Sequence, residues 1–268
     1  MTTPSIAHQS SQADPAIAHY SHHRTNEKIL QLLCAEDLSR HRLLDVGAGE
    51  GYLLSLLLGS LARLPGSNPS ETLFACDLHP ENFKVPEIRC ERWQAGQPLP
   101  FAAESFDAVT CLETIEHIED QFQLVREFSR VIRPGGRVLV STPNVLNLNS
   151  RLRYLHSGFL TLFDPLPLQV PDPVHLAGHI HPVGFYYLAL MFSRAGFRQV
   201  RAHFDFQKRS AIFFAGLLYP ALRIWNAGFI RHMRRKYPEL YEANEFLLAE
   251  MNRWAMLTSR TLILEARK

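Results

Sequence analysis

The stretch Leu43-Leu44-Asp45-Val46-Gly47-Ala48-Gly49-Glu50-Gly51-Tyr52-Leu53 constrains the fold more than any other part of the chain. A short apolar run ends in a turn with glycine at every second position and passes directly into a leucine-dense segment. Residues 42–46 are too apolar and too short for anything but a buried parallel strand, and Leu53, Leu54, Leu56, Leu57, Leu58 and Leu61 give the next helix a broad apolar face. Glycine at 47, 49 and 51 frees the backbone and lets a ligand come close, where a helix N-terminus offers unpaired N–H groups. The unit predicts strand, tight turn and helix, with a nucleotide-type ligand at the turn.

The spacing narrows the ligand. A pyrophosphate-binding turn reads G-x-G-x-x-G, whereas this one reads G-x-G-x-G with Glu50 between its last two glycines. A carboxylate there repels a pyrophosphate but tolerates an ammonium or sulfonium group, which disfavours a nicotinamide dinucleotide. The run Asp45 to Gly51 resembles the first motif of the class I S-adenosylmethionine-dependent methyltransferases. Pro98-Leu99-Pro100-Phe101 ahead of Ser105-Phe106-Asp107, and Arg130 to Val140 with its Arg133-Pro134-Gly135-Gly136 core, resemble later motifs of the same family. The resemblance covers residues 24–206 and 260–268. It implies an α/β fold: a Rossmann-like seven-stranded sheet with helices on both faces and an insertion after the fifth strand.

Strands are expected at 72–76, 87–92, 106–112, 137–141, 197–206 and 260–266, and helices at 24–38, 118–132 and 183–195. Residues 1–23 read as a disordered tail and 24–268 as one domain, with a substrate-side insertion at 143–182 and a helical segment at 211–259. Tyr20, His22 and His23 are candidates for a lid over the cofactor or a solvated cluster. The net charge of +2 is no nucleic-acid footprint. The four cysteines lack C-x-x-C spacing and read as apolar core residues in a reduced compartment. With no basic-then-apolar leader, a cytoplasmic location is expected.

Asp77 closes the second strand, where an acid can accept hydrogen bonds from both ribose hydroxyls of an adenosyl group; capping the short helix near Pro80 is the alternative. The resemblance makes Asp45, Gly47, Gly49, Gly51 and Asp77 the cofactor set. Gln94 stands where many relatives place an aspartate against the adenine amino group, and its amide oxygen can accept the same bond.

Glu113, Glu116 and His117 follow the fourth strand and would face the transferred methyl group, with His117 a candidate general base. The E-x-x-E-H pattern resembles that of metal-dependent small-RNA 2′-O-methyltransferases and of ubiquinone-biosynthesis O-methyltransferases. In the RNA enzymes a further histidine completes a metal site, and His175, His179 and His181 lie in the matching region, with His181 taken as the catalytic candidate. A divalent ion held there is one reading; a metal-free site with the glutamate capping a helix is the other. The acceptor expected is an oxygen on a small or lipid-linked molecule. A metal-assisted RNA methyltransferase and a catalytically silent cofactor-binding scaffold are the rivals, and nucleic acid is disfavoured as partner. Residues 201–236 carry eight Lys/Arg against Asp205 alone, beside the apolar, aromatic run 211–230. That combination suits peripheral contact with anionic lipid through 211–236, or packing against the core under a basic cap.

Overall fold

A computed structural model describes residues 17–18, 21–36, 41–61, 68–169 and 178–268. The strands β1 (Leu43–Val46), β2 (Leu73–Asp77), β3 (Cys90–Arg92), β4 (Phe106–Leu112), β5 (Ile132–Pro143), β6 (Arg198–Phe204) and β7 (Thr261–Arg267) form one sheet in the order β3-β2-β1-β4-β5-β7-β6. β1 to β5 are mutually parallel, and β7 lies antiparallel between β5 and β6. β6 therefore points the same way as β5, and the carboxyl ends of β1, β2, β4, β5 and β6 share one edge of the sheet.

Alternation along the strands divides the core between two faces. Leu44, Val46, Val109, Val138 and Val140 face one cluster, with Phe128 of α4 (Gln121–Val131) and Phe192 of α6 (Phe185–Arg194). Leu43, Ala108 and Leu139 face the other, with Ile29 and Leu33 of α1 (His23–Leu33) and Leu53, Leu54 and Leu57 of α2 (Tyr52–Leu61). Between 62–67, which lie outside the described residues, and β2 comes a single turn, α3 (Pro69–Thr72). The expected pattern of strands and helices stands, with shifted ends: β3 is three residues long, and β5 begins at Ile132, because the Pro-Gly-Gly segment stays bonded to the sheet through the Gly135 N–H on the Lys268 carbonyl, with Gly135 at φ +82° and a shift of register.

Of the residues expected in a disordered tail over 1–23, the described ones are placed against the domain. Ile17 is buried against the α1–α2 face, and the Ala18 N–H donates to Glu50 Oε2 at 2.6 Å. Residues 1–16 and 19–20, including Tyr20, lie outside the described set. His22 Nδ1 accepts the Arg24 N–H, capping α1, and its ring stacks on Phe206 with centroids 4.5 Å apart. The two buried cysteines, Cys76 and Cys111, have thiols pushed well up by burial and sit in β2 and β4 as inert core residues.

The insertion contains α5 (Leu148–Ser157), started by the Asn147 side chain on the Ser150 N–H and stopped by Gly158 in the left-handed conformation. The late segment forms α7 (Arg209–Lys236), α8 (Pro238–Glu250) and α9 (Trp254–Thr258). A third, small cluster of Leu148, Ala215 and Leu257 ties α5, α7 and α9 together.

Arg137 in β5 is 4 % exposed, and its guanidinium donates to the Leu32 and Leu33 carbonyls at 2.9 and 2.7 Å, satisfying the open end of α1. Removing it strands those carbonyls and leaves Glu265 short of a buried partner. Arg137→Met is expected to cost about 3 kcal/mol, read as a lower urea midpoint at unchanged slope.

Candidate active site at the carboxyl edge of the sheet

The glycine turn stands where β1 ends. Gly47 has φ +73°, and a Cβ built on it would lie 2.3 Å from Thr114 Oγ1. Gly51 has φ +91°, with Phe83 and Val85 carbons 2.7 and 2.8 Å from the same hypothetical atom. Both positions exclude any side chain for two reasons, torsion and space. The turn is tied to β2: the Gly47 N–H donates to the Cys76 carbonyl at 2.9 Å, and the Gly49 N–H to Asp77 Oδ2 at 2.8 Å. Asp77 Oδ1 accepts the His79 N–H at 2.8 Å, and the 3₁₀ turn Pro80–Asn82 begins after His79. Each Asp77 oxygen keeps a lone pair beyond these bonds.

Asp45 is buried at the end of β1, and its Oδ1 accepts the Thr110 hydroxyl from β4 at 2.7 Å. Burial pushes its carboxyl up to about 7, against the lowering effect of that bond and with a smaller push from Asp77. Glu50 does not face the crevice as a free charge. Its Oε2 holds Lys84 Nζ at 2.7 Å as well as the Ala18 amide, so it clamps the N-terminal segment and the loop after β2 onto the turn. Beyond Asp77, Leu78, Arg92, Trp93, Gln94, Gln97 and Pro98 line a concavity. Gln94 is exposed in its wall.

On the other side of the turn, β4 gives way to Glu113 and the 3₁₀ turn Ile115–His117. Glu113 adopts φ +49° and accepts the Ser141 hydroxyl on Oε1 at 3.0 Å. Glu116 is 0 % exposed, and neither carboxyl oxygen is met in good hydrogen-bond geometry, although the Thr142 hydroxyl and the residue's own backbone amide stand close enough to temper the effect of burial. Burial drives both carboxyls upward, and for Glu116 the charge of Glu113 adds to it. His117 Nδ1 lies 2.9 Å from the Gly178 carbonyl. A carbonyl only accepts, so Nδ1 carries the proton and Nε2 presents its lone pair. His179 Nε2 is 4.0 Å from Glu116 Oε1, its ring meets that of His117 at 4.9 Å, and the Leu162 backbone stands near enough to support it. Both imidazoles are held below the usual histidine range, chiefly by burial.

One ligand atom from each of Glu116, His117 and His179 lies within 4.8 Å of the other two. A buried carboxylate poorly met by donors of the chain and two neutral imidazoles, one oriented by a carbonyl, fit a divalent first-row ion with open positions. Two of the expected site residues stand apart from this cluster. His181 is exposed, with Nδ1 turned to the Glu119 carbonyl at 3.3 Å: the Ile180 and His181 N–H groups both donate to the Glu116 carbonyl, which bends the chain so that His179 and not His181 enters the site. Glu113 stands beside the cluster, held by Ser141, not within it. His175 lies outside the described residues.

Sequence reasoning missed three residues. Thr110 satisfies Asp45. Gln121 donates to the carbonyls of Ile115 and His181 and so fixes the loop that carries His179. Arg260, at the start of β7, places its charge near Glu113, Glu116 and His179. Thr110 and Gln121 flank the Glu113-to-His117 motif without belonging to its pattern; Arg260 is distant in sequence and carries none.

A doubly wound sheet with a reversed β7, and a glycine turn at its carboxyl edge next to a strand-end acid, defines a Rossmann-like enzyme that binds an adenosyl-type cofactor. A methyltransferase-domain family model matches residues 17–202. The chain belongs to the class I S-adenosylmethionine-dependent methyltransferases. It is 40% identical over 119 residues to the ubiquinone biosynthesis O-methyltransferase of Xanthomonas oryzae pv. oryzae (strain PXO99A), a match covering 40% of this chain and 45% of that protein. It is 32% identical over 108 residues to the protein of that name from Paracidovorax citrulli (strain AAC00-1), with the same coverage of 40% and 45%. The match thus spans less than half the length of these relatives. Among solved structures, a SAM-dependent methyltransferase from Archaeoglobus fulgidus superposes with a TM-score of 0.53 at 15% identity, over 91% of this chain and 93% of that one. The likeness extends the agreement in fold over most of the chain.

Two outcomes test the geometry. Gly47→Ala is expected to cost about 2–4 kcal/mol through a left-handed alanine and its collision with Thr114, and Thr114→Gly in the same chain should recover part of that loss in urea titrations. Asp45 binds its proton more tightly folded than unfolded, so the free protein loses stability as pH rises from about 4 to about 7, by up to about 1.4 kcal/mol per unit. Asp45→Asn should make that slope shallower in a pH series of thermal melts, leaving the part contributed by Glu113 and Glu116.

Proposed function

We propose that this protein transfers a methyl group from S-adenosylmethionine to an oxygen of a small or lipid-linked acceptor, and that Glu116, His117 and His179 hold a divalent cation beside that oxygen. The observation that carries the reading is the fully buried Glu116 carboxyl, poorly met by donors of the chain and set within 4.8 Å of two imidazoles. Leaving such a group unsatisfied costs several kcal/mol unless a ligand meets it. The name shared by the partial relatives, ubiquinone biosynthesis O-methyltransferase, supports an oxygen acceptor.

The cofactor supplies an electrophilic methyl group. What the chain contributes is alignment and proton handling. In this reading Asp77 takes the ribose hydroxyls with its remaining lone pairs, the Gly47–Gly51 turn admits the amino-acid portion at close range above Asp45, and the concavity around Gln94 receives the adenine. A bound cation would supply charge that lowers the pKa of an acceptor hydroxyl. Glu113, held by Ser141 and raised by burial, is placed to accept that proton near neutral pH.

The test combines binding with turnover. Manganese(II) titrated into chelator-stripped protein should raise the melting temperature, and Glu116→Gln or His179→Ala should weaken that effect by at least about tenfold, while His181→Ala leaves it intact. Label from methyl-labelled cofactor should enter hydroxylated compounds in fractionated extract and be lost with chelator or with Glu113→Gln. Undiminished turnover in chelator would remove the cation from the reading. Label recovered in RNA, or no transfer despite tight cofactor binding, would overturn the acceptor.

A further inference from the structure

Helix α7 is long and apolar enough to cross a membrane, yet only 6% of its most apolar 18-residue window is buried within the protein. A core helix of that composition would be covered. One side is indeed fastened: Ala211 and Ala215 are buried, Ser210 Oγ accepts from Asn149 of α5 at 2.7 Å, and Asn226 Oδ1 accepts from Asn252 at 2.8 Å. The opposite side is open. Phe213, Leu217 and Ile224 fall in one row on it, 69, 69 and 70 % exposed, and Trp225, 73 % exposed, stands on its flank. From Phe213 to Ile224 the row runs about 17 Å along the axis, at 1.5 Å per residue.

Charge identifies what covers it. The helix has no acidic residue. Lys208 and Arg209 stand at its start, and Arg231, Arg234, Arg235 and Lys236 in its last two turns. Among the described residues Arg231 and Arg235 have no ion pair, and with Gly228, His232 and Lys236 they line a shallow concavity. Arg234 is joined to Glu245 of α8, at 3.3 Å. A second copy of this helix laid on that row, parallel or antiparallel, would set basic ends against basic ends. An anionic surface complements both the apolar middle and the cationic ends. Crossing the bilayer is a poorer fit, because it would strip the Asn149 and Asn252 contacts from the fold and carry Arg223 into hydrocarbon.

We propose that α7 is a membrane-docking helix, lying in the interface of an anionic bilayer with Phe213, Leu217, Ile224 and Trp225 in the acyl region and Arg231 and Arg235 on lipid phosphates. The consequence for chemistry rests on the function proposed above. Since β6 runs parallel to β5, α7 leaves the sheet at the edge that carries Glu113, Glu116 and His117, and docking holds that edge at the bilayer. The acceptor class this arrangement serves is a hydroxylated head carried on an apolar chain.

Flotation of the full chain with vesicles of phosphatidylglycerol and phosphatidylcholine, against phosphatidylcholine alone, decides the matter without any assay of methyl transfer. The wild type should float with the anionic vesicles, release as salt rises, and show a blue shift of tryptophan emission that Trp225→Ser removes. Phe213→Ser/Leu217→Ser/Trp225→Ser, all at exposed positions, and Arg231→Glu/Arg235→Glu should each cut vesicle affinity at least tenfold while still binding S-adenosylhomocysteine, which certifies their fold. No flotation of the wild type, equal flotation of the triple variant, or a concentration-dependent dimer that the triple variant abolishes without vesicle binding would overturn the proposal. Material that resists alkaline carbonate extraction would overturn it in favour of a spanning helix. Flotation without methylation of any lipid-phase hydroxyl would retain the docking and remove only the acceptor class.

Discussion

Gly47 and Thr114 meet so closely that no atom fits between them. This contact joins the turn after β1 to the loop after β4, and the two halves of the site descend from it. Toward β2, Asp77 and the Cys76 carbonyl hold the turn by its amides. Toward β5, Thr114 leads directly into the 3₁₀ turn that carries Glu116 and His117. A shift of one loop is therefore felt by the other, and the distance between cofactor turn and acceptor side is set by backbone packing, which yields little.

Around that contact the site concentrates carboxyls that the protein interior disfavours as anions. Asp45, Glu113 and Glu116 all have their protons held more tightly by burial, and each is treated differently. Asp45 has a hydroxyl partner from the neighbouring strand, and Glu113 one from Ser141. Glu116 has the Thr142 hydroxyl only in poor geometry, and two imidazoles stand within 4.8 Å. An enzyme that stores destabilising groups at one edge must recover the stability elsewhere. The two large apolar clusters on the faces of the sheet, and buried Arg137 sealing α1, are where that recovery lies.

The third cluster is of a different kind. Leu148, Ala215 and Leu257 make a small apolar seam compared with the length of α7. It fastens one side of the helix and leaves the other to its surroundings, with α5 and the insertion on the same flank as the crevice. The exposed aromatic and aliphatic side chains of α7 stand on an element added to the sheet, where loops and late helices commonly carry specificity.

The strand-turn-helix unit at 43–61, the acid at 77 and the alternation of strands and helices were legible in the amino-acid sequence, because short apolar runs, glycine spacing and helical periodicity are local properties. The same reading assigned Ile17 to a tail, since nothing local marks it as buried or Glu50 as the partner of an amide 32 residues away. It named His181 where the structure brings in His179: a bend made by two N–H groups on one distant carbonyl leaves no pattern in residue types. It left α7 between core and membrane, for an apolar run reads alike in both. Local sequence determined the elements, the turn and the family. Only tertiary packing decided which histidine meets Glu116 and which face of α7 is open, because both depend on contacts between segments far apart in the chain.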